Sequence, residues 1–172
     1  IAIIGQLKAK KGIINFAETF ARFTYKNDYV LYLIGEVKEE VKDYIVSLDI
    51  NVQFYPFSNQ NELLVLYNAI SIIAIPSFYD GMPNVLLEAA ATHNLVIGAN
   101  VGGIKDVITD KEDGFLYNPL QPNELLDVFF QIHKLSSFEK QNITDSLFQK
   151  IQTDYTEEIE ILNYLKILKH EN

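Results

Sequence analysis

Residues 71–91, "SIIAIPSFYDGMPNVLLEAAA", decide how this chain folds. The run 71–76 is apolar without alternation and stops at Pro76, as a strand covered on both faces does. A short loop follows, and an alanine-rich apolar helix is predicted from about Pro83 to Thr92, with proline suited to its first turn. A doubly covered strand that hands over directly to a helix is half of a βαβ unit, so its neighbours run parallel to it. Across the junction, Asp80 and Glu88 sit eight positions apart, on the side of the sheet where open α/β folds bind ligands.

Outward from this junction the same alternation continues. "IAII" (1–4), "YVLYLIG" (29–35), "NVQFY" (51–55) and "LVIGA" (95–99) read as strands. "GIINFAETFARF" (12–23) reads as an amphipathic helix with Ile13, Phe16, Phe20 and Phe23 at helical spacing. "EVKEEVKDYIVSL" (36–48) is predicted to be a charged helix with Val37, Val41 and Tyr44 inward. In "NQNELLVLYNA" (59–69), Asn59 and Glu62 form the pattern of a capping box. "IKDVI" (104–108) and "GFLYN" (114–118) complete the series, and beyond Pro122 two or three helices are predicted with no further strand. The expected architecture is an α/β, Rossmann-like open parallel sheet of about six strands with helices on both faces. Residues 1–135 would form that domain and 136–172 a set of C-terminal helices.

The chain has 172 residues, 48% apolar and 22% charged, with a net charge of −9 and no cysteine. This is the composition of a globular domain with a sizeable core. The charge argues against a nucleic-acid or anionic-membrane surface. Disulfides and thiolate metal sites are excluded, which fits a reducing compartment. No apolar run reaches the roughly 18 residues of a membrane span. The opening inside an apolar strand, with no methionine and no basic leader, suggests an excerpt of a longer protein. The abundance of Ile, Asn, Lys and Tyr suggests a bacterial source.

Four loops lie at strand carboxyl ends: 5–11, 35–36, 56–59 and 76–83. In the last, Gly81 permits close approach to the backbone. The amides of Asn84, Val85 and Leu86 open a helix without helical acceptors and so suit an anion such as a diphosphate. Asp80 and Glu88 can accept hydrogen bonds from hydroxyls, and one carboxylate can take both hydroxyls of a cis-diol such as ribose. On spacing alone, a capping Asp80 and a solvated Glu88 is the plainer alternative. "GQLKAKKG" (5–12) gathers Lys8, Lys10 and Lys11, either as a phosphate-neutralising loop or as a solvated basic one. Neither GxxxxGK[ST] nor GxGxxG is present. Gly102 and Gly103 suit turning or packing, and His93, His133 and His170 have no metal-ligand spacing. No metal site is expected.

Taken together these loops resemble the C-terminal, nucleotide-sugar-binding half of a GT-B glycosyltransferase, specifically glycosyltransferase family 4. That signature is a strand ending in Pro-Ser, an acidic residue, Gly, a hydrophobic residue, Pro or Gly, and a second Glu eight positions after the first; here it is "PSFYDGMPNVLLEAAA" (76–91). "LVIGANVGGIKDVI" (95–108), "GFLYNP" (114–119) and "IGQLKAKKGI" (4–13) are similar to three further family segments. The resemblance covers about residues 1–135.

The resemblance implies that Glu88 holds the ribose hydroxyls and Asp80 the transferred sugar, with Gly81, Met82 and Pro83 beside it. It places the diphosphate at Asn84, Val85 and Leu86, Lys11 against the leaving diphosphate, Gly5, Gln6 and Gly35 along the pocket, and Tyr55 to Phe57 at the base. Asp80, Glu88 and Lys11 would be the catalytic group. Two positions depart from the family: Asp80 replaces the usual Glu, and Gln6 replaces an Arg beside the diphosphate, removing a strong phosphate contact.

The implied activity is retaining, metal-independent hexosyl transfer, with no cofactor beyond the donor. The donor would be a nucleoside-diphosphate sugar, UDP-linked by preference, and the acceptor a glycan or lipid-linked molecule in bacterial polysaccharide biosynthesis. The expected partners are that donor, that acceptor and an N-terminal GT-B domain of the same chain, without which the piece alone would be inactive. The expected location is cytoplasmic, with the whole protein at the inner face of a membrane. The alternative is a non-catalytic GT-B-like scaffold or regulatory domain, with Gln6 and Asp80 as signs of decay. A GT-B epimerase or phosphorylase is a third possibility, disfavoured by the residues of the 80–88 junction.

Overall fold

The structure, a computed structural model, describes residues 1–5, 7, 12–56, 59–79 and 81–155. Its strands are β1 (Ala2–Ile4), β2 (Leu31–Ile34), β3 (Val52–Tyr55), β4 (Ile72–Ile75), β5 (Leu95–Ala99) and β6 (Phe115–Tyr117). All pair in parallel, in the order β3-β2-β1-β4-β5-β6. The chain therefore builds outward from β1 in one direction, then returns to β1's other side and builds the opposite way. The strand order reverses between β1 and β4, the position at which open α/β sheets bind ligands outside the strands' carboxyl ends. The Rossmann-like sheet expected from the apolar runs is the one observed.

Alternate residues of each central strand feed two separate cores. Ile1, Ile3, Leu31, Leu33, Ile72, Ala74, Leu95 and Ile97 point to one face. That face is covered by α1 (Ile13–Ala21), α2 (Glu39–Val46) and α6 (Pro122–Lys134). Ala2, Ile4, Ile34, Ile73, Ile75 and Val96 point to the other. Here α3 (Gln60–Ala69), α4 (Asn84–Ala91), α5 (Gly102–Val107) and α7 (Ser137–Asp154) cover the sheet. This double covering is why β1, β4 and β5 read as unbroken apolar runs. β3, at the sheet edge, alternates half-buried and exposed positions instead.

The first core is dominated by aromatic rings. Phe16, Phe20 and Phe23 of the predicted stripe are all buried. Their rings lie 5.3, 5.7 and 5.5 Å from that of Phe129 on α6. Each such side chain contributes about 1.5–3 kcal/mol by leaving water. On this face His133 stacks on Tyr25 at 4.1 Å and hydrogen-bonds the Tyr29 hydroxyl, which makes it a structural histidine.

Three local expectations shift. The second helix starts at Glu39, because Lys38 keeps an extended backbone. Val37 is buried ahead of the helix, Ile45 is its fully buried residue, and Tyr44 instead lies at the surface with its hydroxyl on Glu18. Residues 104–107 belong to a helix, α5, and Ile108 leaves it with an extended backbone. Asn59 accepts the Glu62 amide as expected, while a complete capping box opens α7 between Ser136 and Glu139. Those two bonds from Ser136 hold the Glu139 carboxyl below its usual range. Among the described residues no helix is long and apolar enough to cross a membrane.

Replacing Phe129 by Ala is expected to cost about 3–5 kcal/mol, because one ring serves three partners on α1 and beyond. Urea unfolding checks this, with Tyr44→Phe as a surface comparison expected to stay within about 1 kcal/mol of the parent.

Candidate functional site

Three glycines stitch the carboxyl-edge loops together in sheet order. A Cβ on Gly35, after β2, would overlap the Gly5 carbonyl after β1. A Cβ on Gly12, where the β1 loop enters α1, would overlap the Pro76 carbonyl after β4. A Cβ on Gly103, after β5, would overlap the Gly81 carbonyl, and the Gly103 amide donates to that oxygen at 2.8 Å. Each loop is therefore seated on its neighbour by backbone against backbone. Gly12 also has φ +67°, a conformation that side chains resist. The packing role expected for the Gly102–Gly103 pair holds for Gly103.

Gly81 is different. Its backbone is not in the positive-φ region, and an added Cβ would meet nothing within 4 Å. Neither strain nor packing calls for glycine there. What its small size provides is open space above the loop, directly ahead of α4, with the exposed Met82 and the half-buried Pro83 beside it.

The N-terminus of α4 is close to its expected position but differs in detail. Pro83 is the N-cap, not the first helical residue. Its carbonyl accepts the Leu86 amide at 2.9 Å. This corrects the expectation of three free amides: Leu86 is engaged, and its side chain is fully buried. The Asn84 and Val85 amides have no acceptor among the described residues, and they carry the positive end of the helix dipole.

Glu88 follows about one turn later, roughly 6 Å further along the axis, and is solvent-exposed. Side chains of a helix lean toward its N-terminus, so this carboxylate is carried back toward the 81–84 loop. It is solvated, as the plainer alternative had it, but it also has a fixed partner. The hydroxyl of buried Tyr67, on α3, donates to Glu88 Oε2 at 2.6 Å. Burial, and then the bond to Glu88, push the Tyr67 phenol far above its usual range, so it remains a donor. Tyr67 is itself anchored: the buried Asn94 side-chain amide donates to the Tyr67 carbonyl at 2.9 Å and also to that of Ile70. Thr92 in turn hydrogen-bonds the Asn94 side-chain oxygen at 2.6 Å.

The far end of α4 is equally fixed. Asn94 N–H reaches the Ala89 carbonyl and His93 N–H that of Ala90, a Schellman ending with His93 in the left-handed position normally taken by glycine. His93 stacks on Phe148 and pairs with Asp145 of α7, which gives it a structural role. On the same face Lys150 of α7 pairs with the buried Asp113 and hydrogen-bonds the Val107 carbonyl and Thr109 hydroxyl.

Gly5, at the end of β1, has positive φ and no described atom near its missing side chain. Tyr55 is turned away from the edge: its ring lies 5.9 Å from Tyr32, and its carbonyl accepts the Gly35 amide. Gln6, Lys8, Lys10, Lys11, Phe57, Asp80 and His170 lie outside the described residues. Among the described residues no group of three His, Asp or Glu side chains is arranged to hold a metal. A cavity of about 470 Å³ opens at the opposite, amino-terminal edge, lined by Ile1, Tyr32, His93 and Lys140 among others. That edge carries the strand starts and the first turns of α7, away from the carboxyl ends at which open α/β sheets bind ligands.

The match to a protein-family model decides the family: residues 1–144 match glycosyl transferases group 1. The chain belongs to that family. It is 30% identical over 133 residues to a D-inositol 3-phosphate glycosyltransferase of Corynebacterium efficiens, covering 71% of this chain and 31% of that protein. It is 26% identical over 121 residues to a UDP-Gal:alpha-D-GlcNAc-diphosphoundecaprenol alpha-1,3-galactosyltransferase of Escherichia coli, covering 66% and 31%. This group 1 chain thus spans about a third of the length of the curated relatives it matches. Among solved structures, the C-terminal domain of the group 1 protein LpcC from Francisella tularensis superposes with a TM-score of 0.79 at 24% identity, covering 91% of this chain and 85% of that one. The fold is that of the C-terminal half of GT-B glycosyltransferases.

Sequence reasoning missed Tyr67. Its signal was a phenol at an inward position of an otherwise aliphatic helix, since a buried tyrosine hydroxyl requires a partner.

Two glycine substitutions separate loop packing from open space. Gly103→Ala is expected to cost about 1–3 kcal/mol by forcing the 81–82 loop away. Gly81→Ala is expected to change stability by less than about 0.5 kcal/mol. Thermal unfolding of both variants checks the contrast.

Proposed function

We propose that this chain is the donor-binding domain of a retaining, metal-independent glycosyltransferase of family 4. The whole protein would transfer a hexose from a UDP-sugar to a glycan or lipid-linked acceptor. The observation that carries the proposal is the α4 junction at the sheet's reversal point: two amides and a Gly81 that meet no partner or obstruction among the described residues, and an exposed carboxylate held about a turn behind them. The diphosphate would sit on the Asn84 and Val85 amides, in the positive end of the helix dipole. Glu88 would accept hydrogen bonds from the ribose hydroxyls through lone pairs that Tyr67 leaves available. Asp80 would hold hydroxyls of the transferred sugar.

Lys11 would neutralise the charge that grows on the diphosphate as the glycosidic C–O bond breaks, the step at which fixed positive groups have most effect. With that lysine and the helix N-terminus in place, the charge needs no metal ion. The preference for UDP and for a lipid-linked acceptor draws support from the Escherichia coli relative, whose name states both. The acceptor site and a wall of the cleft would come from an N-terminal domain of the complete protein, placed at the cytoplasmic face of a membrane in bacterial polysaccharide assembly.

The test is calorimetric titration with UDP, GDP and ADP, repeated for Lys11→Ala and Glu88→Ala. One diphosphate is expected to bind, and each substitution to weaken it about tenfold or more, as loss of a charge-assisted contact does. Unchanged affinity in both variants would remove these residues from the site. Transfer from a panel of UDP-sugars by the complete protein then separates an enzyme from a non-catalytic scaffold.

A further inference from the structure

We infer that Tyr67 is a positioning residue for Glu88, and that its hydroxyl sets the carboxylate in the orientation that recognises the ribose diol of the donor. The inference rests on the donor-site reading and adds to it a residue outside the 76–88 junction. Glu88 is exposed, and an exposed glutamate distributes over many rotamers, which a ligand must freeze when it binds. Here Oε2 is already fixed by a 2.6 Å bond from a buried donor. That leaves Oε1, and the second lone pair of Oε2, to meet two adjacent hydroxyls.

The bond is also directional in its support. Tyr67 lies nearer the far end of α3, and its side chain climbs through the second core, with Leu86 and Ala89 in the same cluster, to reach Glu88. The Tyr67 carbonyl is tied down by Asn94, which Thr92 holds in turn. Ring packing and the backbone anchor therefore fix where the hydroxyl ends, and Glu88 adapts to it. A phenol that stays protonated across the working range presents only a donor to the carboxylate. Glu88 is thus pre-ordered by a donor that takes up one lone pair and leaves the others for sugar hydroxyls.

Tyr67→Phe removes one oxygen and keeps the ring, so it tests the bond and not the core. Binding of UDP and of 2′,3′-dideoxy-UDP, which lacks the diol, is measured by calorimetry on the complete protein. The variants are Tyr67→Phe, Glu88→Ala and the double substitution, with unfolding temperature followed in parallel. Tyr67→Phe is expected to weaken UDP about threefold to tenfold, the size of one net hydrogen bond, to leave the dideoxy nucleotide unchanged, and to add nothing in the Glu88→Ala background.

Equal weakening of both nucleotides, or an additive loss in the double variant, would make Tyr67 an ordinary core residue and overturn the inference. So would full UDP affinity in Tyr67→Phe while Glu88→Ala loses it, and there the donor-site reading survives. Full UDP affinity in Glu88→Ala itself would end both. Should Tyr67→Phe prove too unstable to titrate, Glu88→Asp withdraws the carboxylate from the Tyr67 hydroxyl by one methylene and should lose the same discrimination between the two nucleotides. Retained discrimination in that variant would overturn the inference.

Discussion

Backbone-to-backbone contact along the carboxyl edge is the constraint on which the rest of this structure depends. In a parallel sheet each loop must leave its strand beside a neighbour doing the same, and side chains would hold those loops apart. At Gly35, Gly12 and Gly103 the side chain is absent, and a carbonyl of the adjacent loop fills the space. The result is a continuous rim running from β2 through β1 and β4 to β5. The entry angle of α4 and the location of its first amides follow from that seating.

Upon this rim the candidate site combines two kinds of order. Its anion-binding part is made of backbone, which cannot rotate away, and its hydroxyl-binding part is a side chain restrained by another side chain. α7 strengthens both from behind: Asp145 holds His93 at the end of α4, and Lys150 ties down the loop after α5. A helix with no residue among the candidate ligands thus fixes the two helices that border the site.

Much of the fold was legible because its core strands are buried on both faces and carry no competing polar signal. The aromatic stripe at Phe16, Phe20 and Phe23 was equally plain, since all three face one partner layer. The second helix was misphased because Val37 is buried just outside it, so an apolar residue before the helix was counted into its stripe. Tyr44 then appeared inward when the inward residue is Ile45. At the α4 junction, residue types were readable but hydrogen-bond ownership was not: Pro83 accepts the Leu86 amide only because its own backbone is extended. The Tyr67–Glu88 bond joins residues 21 positions apart on different helices, and no periodicity encodes such a meeting.

The order in which α6 and α7 cover the sheet has a consequence for synthesis on the ribosome. α6 closes the face built on α1, and after a turn at Leu135–Ser136 the chain crosses to the other side, where α7 closes the face built on α4. Both halves of the core therefore wait for the last stretch of described chain. Until those helices emerge, a nascent sheet already complete in its strands keeps part of each apolar face uncovered. Chain elongation at about 5–20 residues per second makes that interval seconds long, with the remaining apolar surface open to other chains.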